Sequence, residues 1–276
     1  MTRTRGAPPI KRLKNIVYSN QSGMVLDLYP AGQERRTPAP TVVYVHGGAW
    51  TTGNKNGGYS LDMAPAITER GGIFVALNYR LSPAFLFPAH IQDVKCALRF
   101  LRAHAGRYGI DPRRIAVIGN SAGGHLVSLA GLTDASAGFD TDEYAHQSSQ
   151  VQAVVDLYGP ADLVPISANA TFQRRLRAVF GRDPDALRRA SPITYVKAGA
   201  PPFFIVHGER DQTVPIAQSM TLQASLRAAG AEATLLSVRN AGHALVAVGG
   251  PINPSHEQVN AAIVEWLDAK LRFADS

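Results

Sequence analysis

Short apolar runs rich in β-branched residues alternate with longer stretches of helical spacing along most of this chain. Runs bounded by turn residues predict strands at Lys14–Ser19, Met24–Tyr29, Thr41–His46, Ile73–Tyr79, Arg114–Gly119, Ala153–Tyr158, Phe203–Val206 and Ala233–Val238. The first two read as an antiparallel entry pair. From Thr41 onward the strands alternate with helical stretches at Tyr59–Arg70, Ala89–Ala105, Ala122–Leu132, Pro215–Ala229 and His256–Leu271. In the second of these, Ile91, Val94, Ala97, Leu98 and Leu101 recur on one face. Asp111-Pro112 marks a turn ahead of the fifth strand. Such alternation predicts a mostly parallel, eight-stranded sheet with helices on both faces. Ala161 to Ala200 breaks the rhythm, with helical pieces at Phe172–Phe180 and near Pro184–Ala190. This stretch reads as a small helical cap after strand six, inserted in one α/β domain that spans residues 1–276.

Composition narrows the class of protein. With 276 residues, 45% hydrophobic and 18% charged, the chain can close one large core. No apolar run reaches the roughly 20 residues that a membrane-spanning helix needs, so no membrane span is expected. The stretch from Met1 to Lys14 carries Arg3, Arg5, Lys11, Arg12 and Lys14 without an apolar segment. It does not read as a secretory signal, and a cytoplasmic location is the expectation. The single cysteine, Cys96, falls in an apolar helical pattern and reads as a buried, inert thiol.

The net charge is +7, and arginines cluster at Arg174, Arg175, Arg177, Arg182, Arg188 and Arg189. No groove-binding or strand-binding motif accompanies them, so nucleic acid is not an expected partner. The cluster reads as a solvated basic face, with attraction of anionic substrates as the second reading.

The most informative local pattern is Gly119-Asn120-Ser121-Ala122-Gly123. A β-branched run precedes it and a helical stretch follows, so Ser121 sits on a sharp strand-to-helix turn. G-x-S-x-G in that context is a nucleophile elbow. The glycines leave room where a Cβ would crowd a neighbouring strand or helix. The Ala122 amide, at the helix start, points toward an oxyanion formed beside the serine.

Three further segments supply complementary chemistry. His46-Gly47-Gly48-Ala49-Trp50 follows a strand, and its small residues free backbone N–H groups to stabilise an alkoxide. Gly48, Ala49 and Ala122 are the candidate oxyanion donors. His46 reads as a brace for the loop, and Trp50 either walls a substrate pocket or packs. His207-Gly208-Glu209-Arg210-Asp211 follows another strand; Asp211, at the loop apex, is preferred over Glu209 as the acid that fixes a histidine tautomer. Asn240-Ala241-Gly242-His243 follows the last strand and offers His243 as general base.

The chain order Ser121, Asp211, His243 resembles that of the α/β-hydrolase superfamily. Together with Asn78-Tyr79-Arg80-Leu81-Ser82-Pro83 and Phe87-Pro88-Ala89, these motifs resemble hormone-sensitive-lipase-like and feruloyl- or acetyl-xylan-esterase-like carboxylesterases. The resembling segments run from about Val42 to His243. Two departures stand out. Ala49 occupies the place of a third glycine, where an alanine fits with a negative φ. Asn120 stands where the hormone-sensitive-lipase branch usually has Asp, which leans toward the feruloyl- and acetyl-esterase side.

The resemblance implies a serine carboxylesterase for short-chain acyl esters, acting through an acyl-enzyme on a small-molecule ester and needing neither metal nor organic cofactor. Kynurenine formamidases carry a similar His-Gly-Gly-x-Trp loop, so a formamide hydrolase is the alternative. A homodimer through the final strand or final helix is an analogy with such relatives.

Overall fold

The computed structural model describes residues 12–32, 37–58, 60–166, 170–181 and 183–273. Tyr59, Arg182 and the basic residues before Arg12 lie outside the described residues. The strands are β1 (Leu13–Val17), β2 (Val25–Tyr29), β3 (Ala39–Val45), β4 (Ile73–Leu77), β5 (Ile110–Asn120), β6 (Ala153–Leu157), β7 (Phe203–Gly208) and β8 (Ala233–Val238). They form one sheet in the order β1-β2-β4-β3-β5-β6-β7-β8. β1 and β2 are antiparallel, and β2 runs antiparallel to β4 as well. Every pairing from β4 to β8 is parallel.

The helices are α1 (Ser60–Glu69), α2 (Ala89–Ala103), α3 (Ala105–Tyr108), α4 (Ala122–Leu132), α5 (Leu163–Ile166), α6 (Ala170–Phe180), α7 (Pro184–Ala190), α8 (Ala217–Ala228) and α9 (His256–Leu271). Strand alternation divides their packing. Val43, Val45 and Val117 face a core shared with Ile91, Leu98 and Leu101 of α2, Leu126 and Leu129 of α4, and Leu222 and Leu226 of α8. Val42, Tyr44 and Ile118 face the opposite core, closed by Met63 and Ile67 of α1 and Val259, Ile263 and Leu267 of α9. Both faces of β3 are thus covered, which explains its seven consecutive buried residues. A capping box starts α9: the Ser255 hydroxyl accepts from the Gln258 amide at 3.3 Å, and the Gln258 side chain accepts from the Ser255 amide at 2.9 Å.

Several boundaries differ from the sequence reading, among them those of β5, β7 and α8. β5 begins at Ile110, because Ala39 pairs with Ile110 and Thr41 pairs with Ile115. Residues 111–114 bulge out between those pairs, and Asp111 Oδ1 accepts from the Arg113 amide at 2.9 Å. The turn at Asp111-Pro112 is therefore a bulge inside a longer strand. β7 runs through His207 and Gly208, which pair with Ser237 and Val238 of β8. α8 starts at Ala217, two residues beyond the expected Pro215.

Between β6 and β7 the chain forms α5, α6 and α7. Leu176, Val179 and Phe180 of α6 pack into the core beside Trp50 and Leu163. The strand order reverses direction at β3, with β4 on one side and β5 on the other. The carboxyl ends of β3 and β5 therefore open a crevice at a topological switch point, where ligands bind in open α/β sheets.

Candidate active site

Ser121 is the single residue between β5 and α4, so it alone turns the chain. Its φ of 54° and ψ of −117° are strained for a side-chain-bearing residue. Two backbone bonds hold the turn. The Ser121 amide donates to Leu157 O at 2.8 Å, and the His125 amide donates to Ser121 O at 3.0 Å. The flanking glycines make this close approach feasible. A Cβ on Gly119 would lie 2.4 Å from Gly123 O, and one on Gly123 would lie 2.0 Å from Val45 O.

The loops after β7 and β8 are laced together beside this turn. The Glu209 amide donates to Val238 O at 3.0 Å, and the Arg210 amide donates to Ala241 O at 2.8 Å. That pairing sets Asp211 and His243 side by side. His243 Nδ1 lies 2.7 Å from Asp211 Oδ2, and His243 Nε2 lies 3.0 Å from Ser121 Oγ. A carboxylate can only accept, so Nδ1 carries the proton and Nε2 is free to take one from the serine hydroxyl. Tyr158 meets the His243 ring edge-on at 5.1 Å between centroids. Glu209, the rival acid, accepts instead from the Ser237 hydroxyl at 3.1 Å.

Asp211 is held as an anion despite its burial. Burial alone would raise its pKa. Hydrogen bonds from His207, His243 and the Val214 amide outweigh that and hold the carboxyl well below the usual range. Its Oδ1 accepts from the amides of Thr213 and Val214 at 2.8 and 2.9 Å. Asp211 thus closes its own loop with one oxygen and faces His243 with the other.

The loop after β3 departs from expectation at Ala49, whose φ is +52°, not negative. Trp50 follows at +60° and Gly48 precedes at +119°. Three consecutive positive φ values fold the loop back on itself, so that the Thr51 and Thr52 amides both donate to Gly48 O at 3.0 Å. At Gly48 a Cβ would lie 2.1 Å from Thr52 O. The alanine therefore tolerates a left-handed conformation that a glycine would adopt without strain. Among the described residues, the amides of Gly48, Ala49 and Ala122 have no protein acceptor.

Asn120 joins this loop to the elbow: its Oδ1 accepts from the Gly47 amide at 3.0 Å and from the Tyr44 hydroxyl at 2.8 Å. His46 meets its neighbour Gly47 O at 2.7 Å and stacks on Tyr79 at 4.3 Å between centroids. Burial pushes its pKa down to about 4, so it stays neutral in the loop. Trp50 is buried; its Nε1 donates to His125 Nδ1 at 3.2 Å and its ring packs edge-on against Phe180. It also lines the cavity beside Ser121.

That cavity has a volume of about 590 Å³, within the range of small-molecule sites. Ser121, His243, Gly48, Ala49, Trp50 and Arg175 are among its lining residues. Ala122 is not, although its amide begins α4 next to Ser121. Sequence reasoning missed His207, which is fully buried at the end of β7. Its Nε2 lies 2.8 Å from Val214 O and 3.4 Å from Asp211 Oδ2, and its Nδ1 lies 2.7 Å from Ser219 Oγ. The available signal was the four-residue spacing from His207 to Asp211. Cys96 is buried, and burial pushes its thiol up to about 12. Among the described residues no helix is long and apolar enough to cross a membrane.

The BD-FAE family model matches residues 26–226, a stretch that includes Ser121 and Asp211 and stops short of His243. The chain is 34% identical over 239 residues to Esterase LipC of Mycobacterium tuberculosis, covering 83% of this chain and 59% of that protein. It is 40% identical over 196 residues to the probable carboxylic ester hydrolase LipM of the same organism, covering 68% of this chain and 45% of that protein. The chain thus spans about half the length of the curated relatives it matches.

Among solved structures, a truncated carbohydrate esterase from gut microbiota superposes with a TM-score of 0.79 at 28% identity, covering 95% of this chain and 96% of that one. Esterase 2 of Thermogutta terrifontis with propionate bound superposes at 0.78 and 25% identity, covering 98% and 97%. The same esterase has also been solved phosphonylated by sarin. The fold is that of the α/β-hydrolases.

Proposed function

The chain belongs to the BD-FAE family, and from that premise we propose that it is a serine carboxylesterase acting on short-chain acyl esters through an acyl-enzyme. His243 Nε2 takes the proton of Ser121 Oγ as that oxygen attacks the ester carbonyl. Asp211 keeps the imidazole in the productive tautomer and stabilises the imidazolium that forms. The amides of Gly48, Ala49 and Ala122 receive the negative charge of the tetrahedral oxygen. His243 then returns its proton to the leaving alkoxide, the alcohol departs and the acyl group stays on Ser121. Water attacks next, with His243 taking its proton and giving it back to Ser121 as the acid is released.

The observation that carries this reading is the pair of hydrogen bonds from Ser121 to His243 and from His243 to Asp211, at 3.0 and 2.7 Å, on the wall of a substrate-sized cavity. The propionate found in the similar Thermogutta terrifontis esterase supports a short acyl group. Phosphonylation of that esterase by sarin suggests the direct test. A fluorophosphonate reporter is expected to add one mass increment to the folded protein, mapping to Ser121. Failure to label, or labelling elsewhere, contradicts the reading.

A further inference from the structure

The cavity beside Ser121 carries a charge that the hydrolytic chemistry does not use. Arg175 of α6 lines it, and among the described residues no acidic side chain does. Asp211 lies behind His243 with its side chain fully buried, so its charge faces the imidazole and not the cavity. Among the described residues Arg175 has no ion pair, hydrogen bond or aromatic partner. The other end of the arginine cluster is engaged: Arg188 pairs with Asp185 at 2.5 Å, and Arg189 lies over the Phe139 ring at 5.3 Å. Arg174 and Arg177, the neighbours of Arg175 on α6, likewise have no ion pair among the described residues.

The position of Arg175 follows from how α6 packs. Leu176, Val179 and Phe180 form its buried face. Phe180 meets Trp50 edge-on at 5.0 Å, and Val179 O accepts from the Phe87 amide at 3.0 Å. The helix is thereby anchored to the residue that follows Ala49 in the oxyanion loop. Arg175 sits one residue before Leu176, on the cavity side of this anchor.

We propose that Arg175 binds an anionic group of the substrate, so that the preferred esters carry a carboxylate, phosphate or sulfate besides the scissile bond. This rests on the ester-hydrolase reading above and names its substrate class. A guanidinium offers a planar pair of donors that fits such groups two bonds at a time. Arg175 is exposed, so water at the cavity mouth partly screens the pair, but with no acidic side chain among the described lining residues the guanidinium has no competing internal partner. The further unpaired cations on α6 raise the local concentration of anionic substrates at the mouth. A cationic ester meets the same field as repulsion, which sharpens the choice.

The test uses two matched pairs of esters, followed by pH-stat at low salt. On the acyl side, monomethyl succinate is compared with methyl pentanoate. On the alcohol side, O-acetylglycolate is compared with propyl acetate. The charged member of at least one pair is expected to have the higher kcat/KM, and the pair that shows it locates the anion on the acyl or the alcohol side. In Arg175→Ala the charged-to-neutral ratio of kcat/KM falls about tenfold, mainly through KM, as expected for losing a charge-assisted hydrogen bond. Arg175→Lys restores part of the ratio, Arg175→Glu inverts it, and added salt shrinks it in the wild type. Turnover of the neutral esters with no charged preference, or a ratio unmoved by Arg175→Ala, overturns this proposal alone. No turnover of any of the four esters overturns it together with the hydrolase reading.

Discussion

His207 Nε2 approaches Asp211 Oδ2 to 3.4 Å, the same oxygen that lies 2.7 Å from His243. One carboxylate oxygen is therefore shared by an outer imidazole at the cavity and an inner imidazole in the core. The inner one is fixed by Ser219 and by Val214 O, so it ties Asp211 to β7. His207 is a positioning residue in this arrangement. Replacing it with Asn is expected to lower kcat about 10- to 100-fold while leaving KM for small esters within a few-fold, the signature of a misplaced acid. Steady-state kinetics beside a urea unfolding curve separates this from a general loss of structure.

The two acids of the loop after β7 have unequal roles. Asp211 faces His243, and Glu209 accepts from Ser237 on the exposed side. Asp211→Asn is expected to cut kcat by about 10⁴, because the amide stabilises the wrong imidazole tautomer. Glu209→Gln is expected to stay within about twofold, in line with a surface change. Equal effects of the two substitutions in one ester assay would contradict the assignment.

Ala49 holds a positive φ where glycine is at ease. Ala49→Gly is expected to stabilise the protein by about 1 kcal/mol, from relief of left-handed strain partly offset by the freer unfolded chain. Ala49→Val, with a branched Cβ at the same φ, is expected to destabilise it and to lower kcat by displacing the Ala49 amide, the proposed oxyanion donor. Urea midpoints and turnover of one ester check both.

Asp156 and His125 make stability respond to pH in opposite senses. Burial pushes the Asp156 carboxyl up to about 6, against the pull of the Gly159 amide, from 3.8 in the unfolded chain. Between those values the folded state holds the extra proton, so this group lowers stability as pH rises through about 6, by at most about 3 kcal/mol. Burial pushes His125 down to about 3 from 6.5. There the unfolded state holds the extra proton, so stability is lost as pH falls below 6.5 toward 3. Asp156→Asn isolates the first effect. Its stability relative to wild type is expected to improve between pH 4 and about 7, measured by urea unfolding across that range. A difference that does not change with pH would contradict the buried, ionising carboxyl.

The sheet and its flanking helices were legible because the central strands carry β-branched, apolar runs and α2 keeps an apolar stripe at helical spacing. Ser121, Asp211 and His243 were legible as candidates because each sits in a turn-forming segment directly after a strand, in a fixed chain order. Their distances were not, since those depend on backbone bonds between the loops after β7 and β8. His207 was hidden by a strand boundary. A β7 ending at Val206 leaves His207 in a loop, whereas the ladder to Ser237 and Val238 buries it. The positive φ of Ala49 was hidden because alanine gives no local sign of left-handed backbone. Arg175 looked like one more surface arginine, because which face of α6 meets the cavity is set by Phe180 packing on Trp50, far away in sequence.

Ser121 is the proposed nucleophile of a short-chain ester hydrolase. Hydrolysis of p-nitrophenyl acetate, butyrate, octanoate and palmitate by wild type beside Ser121→Ala tests this role most directly. Turnover of acetate and butyrate is expected well above that of palmitate, with its loss in Ser121→Ala. A folded wild type that hydrolyses none of the four, or a Ser121→Ala protein that keeps the wild-type rate, would contradict it.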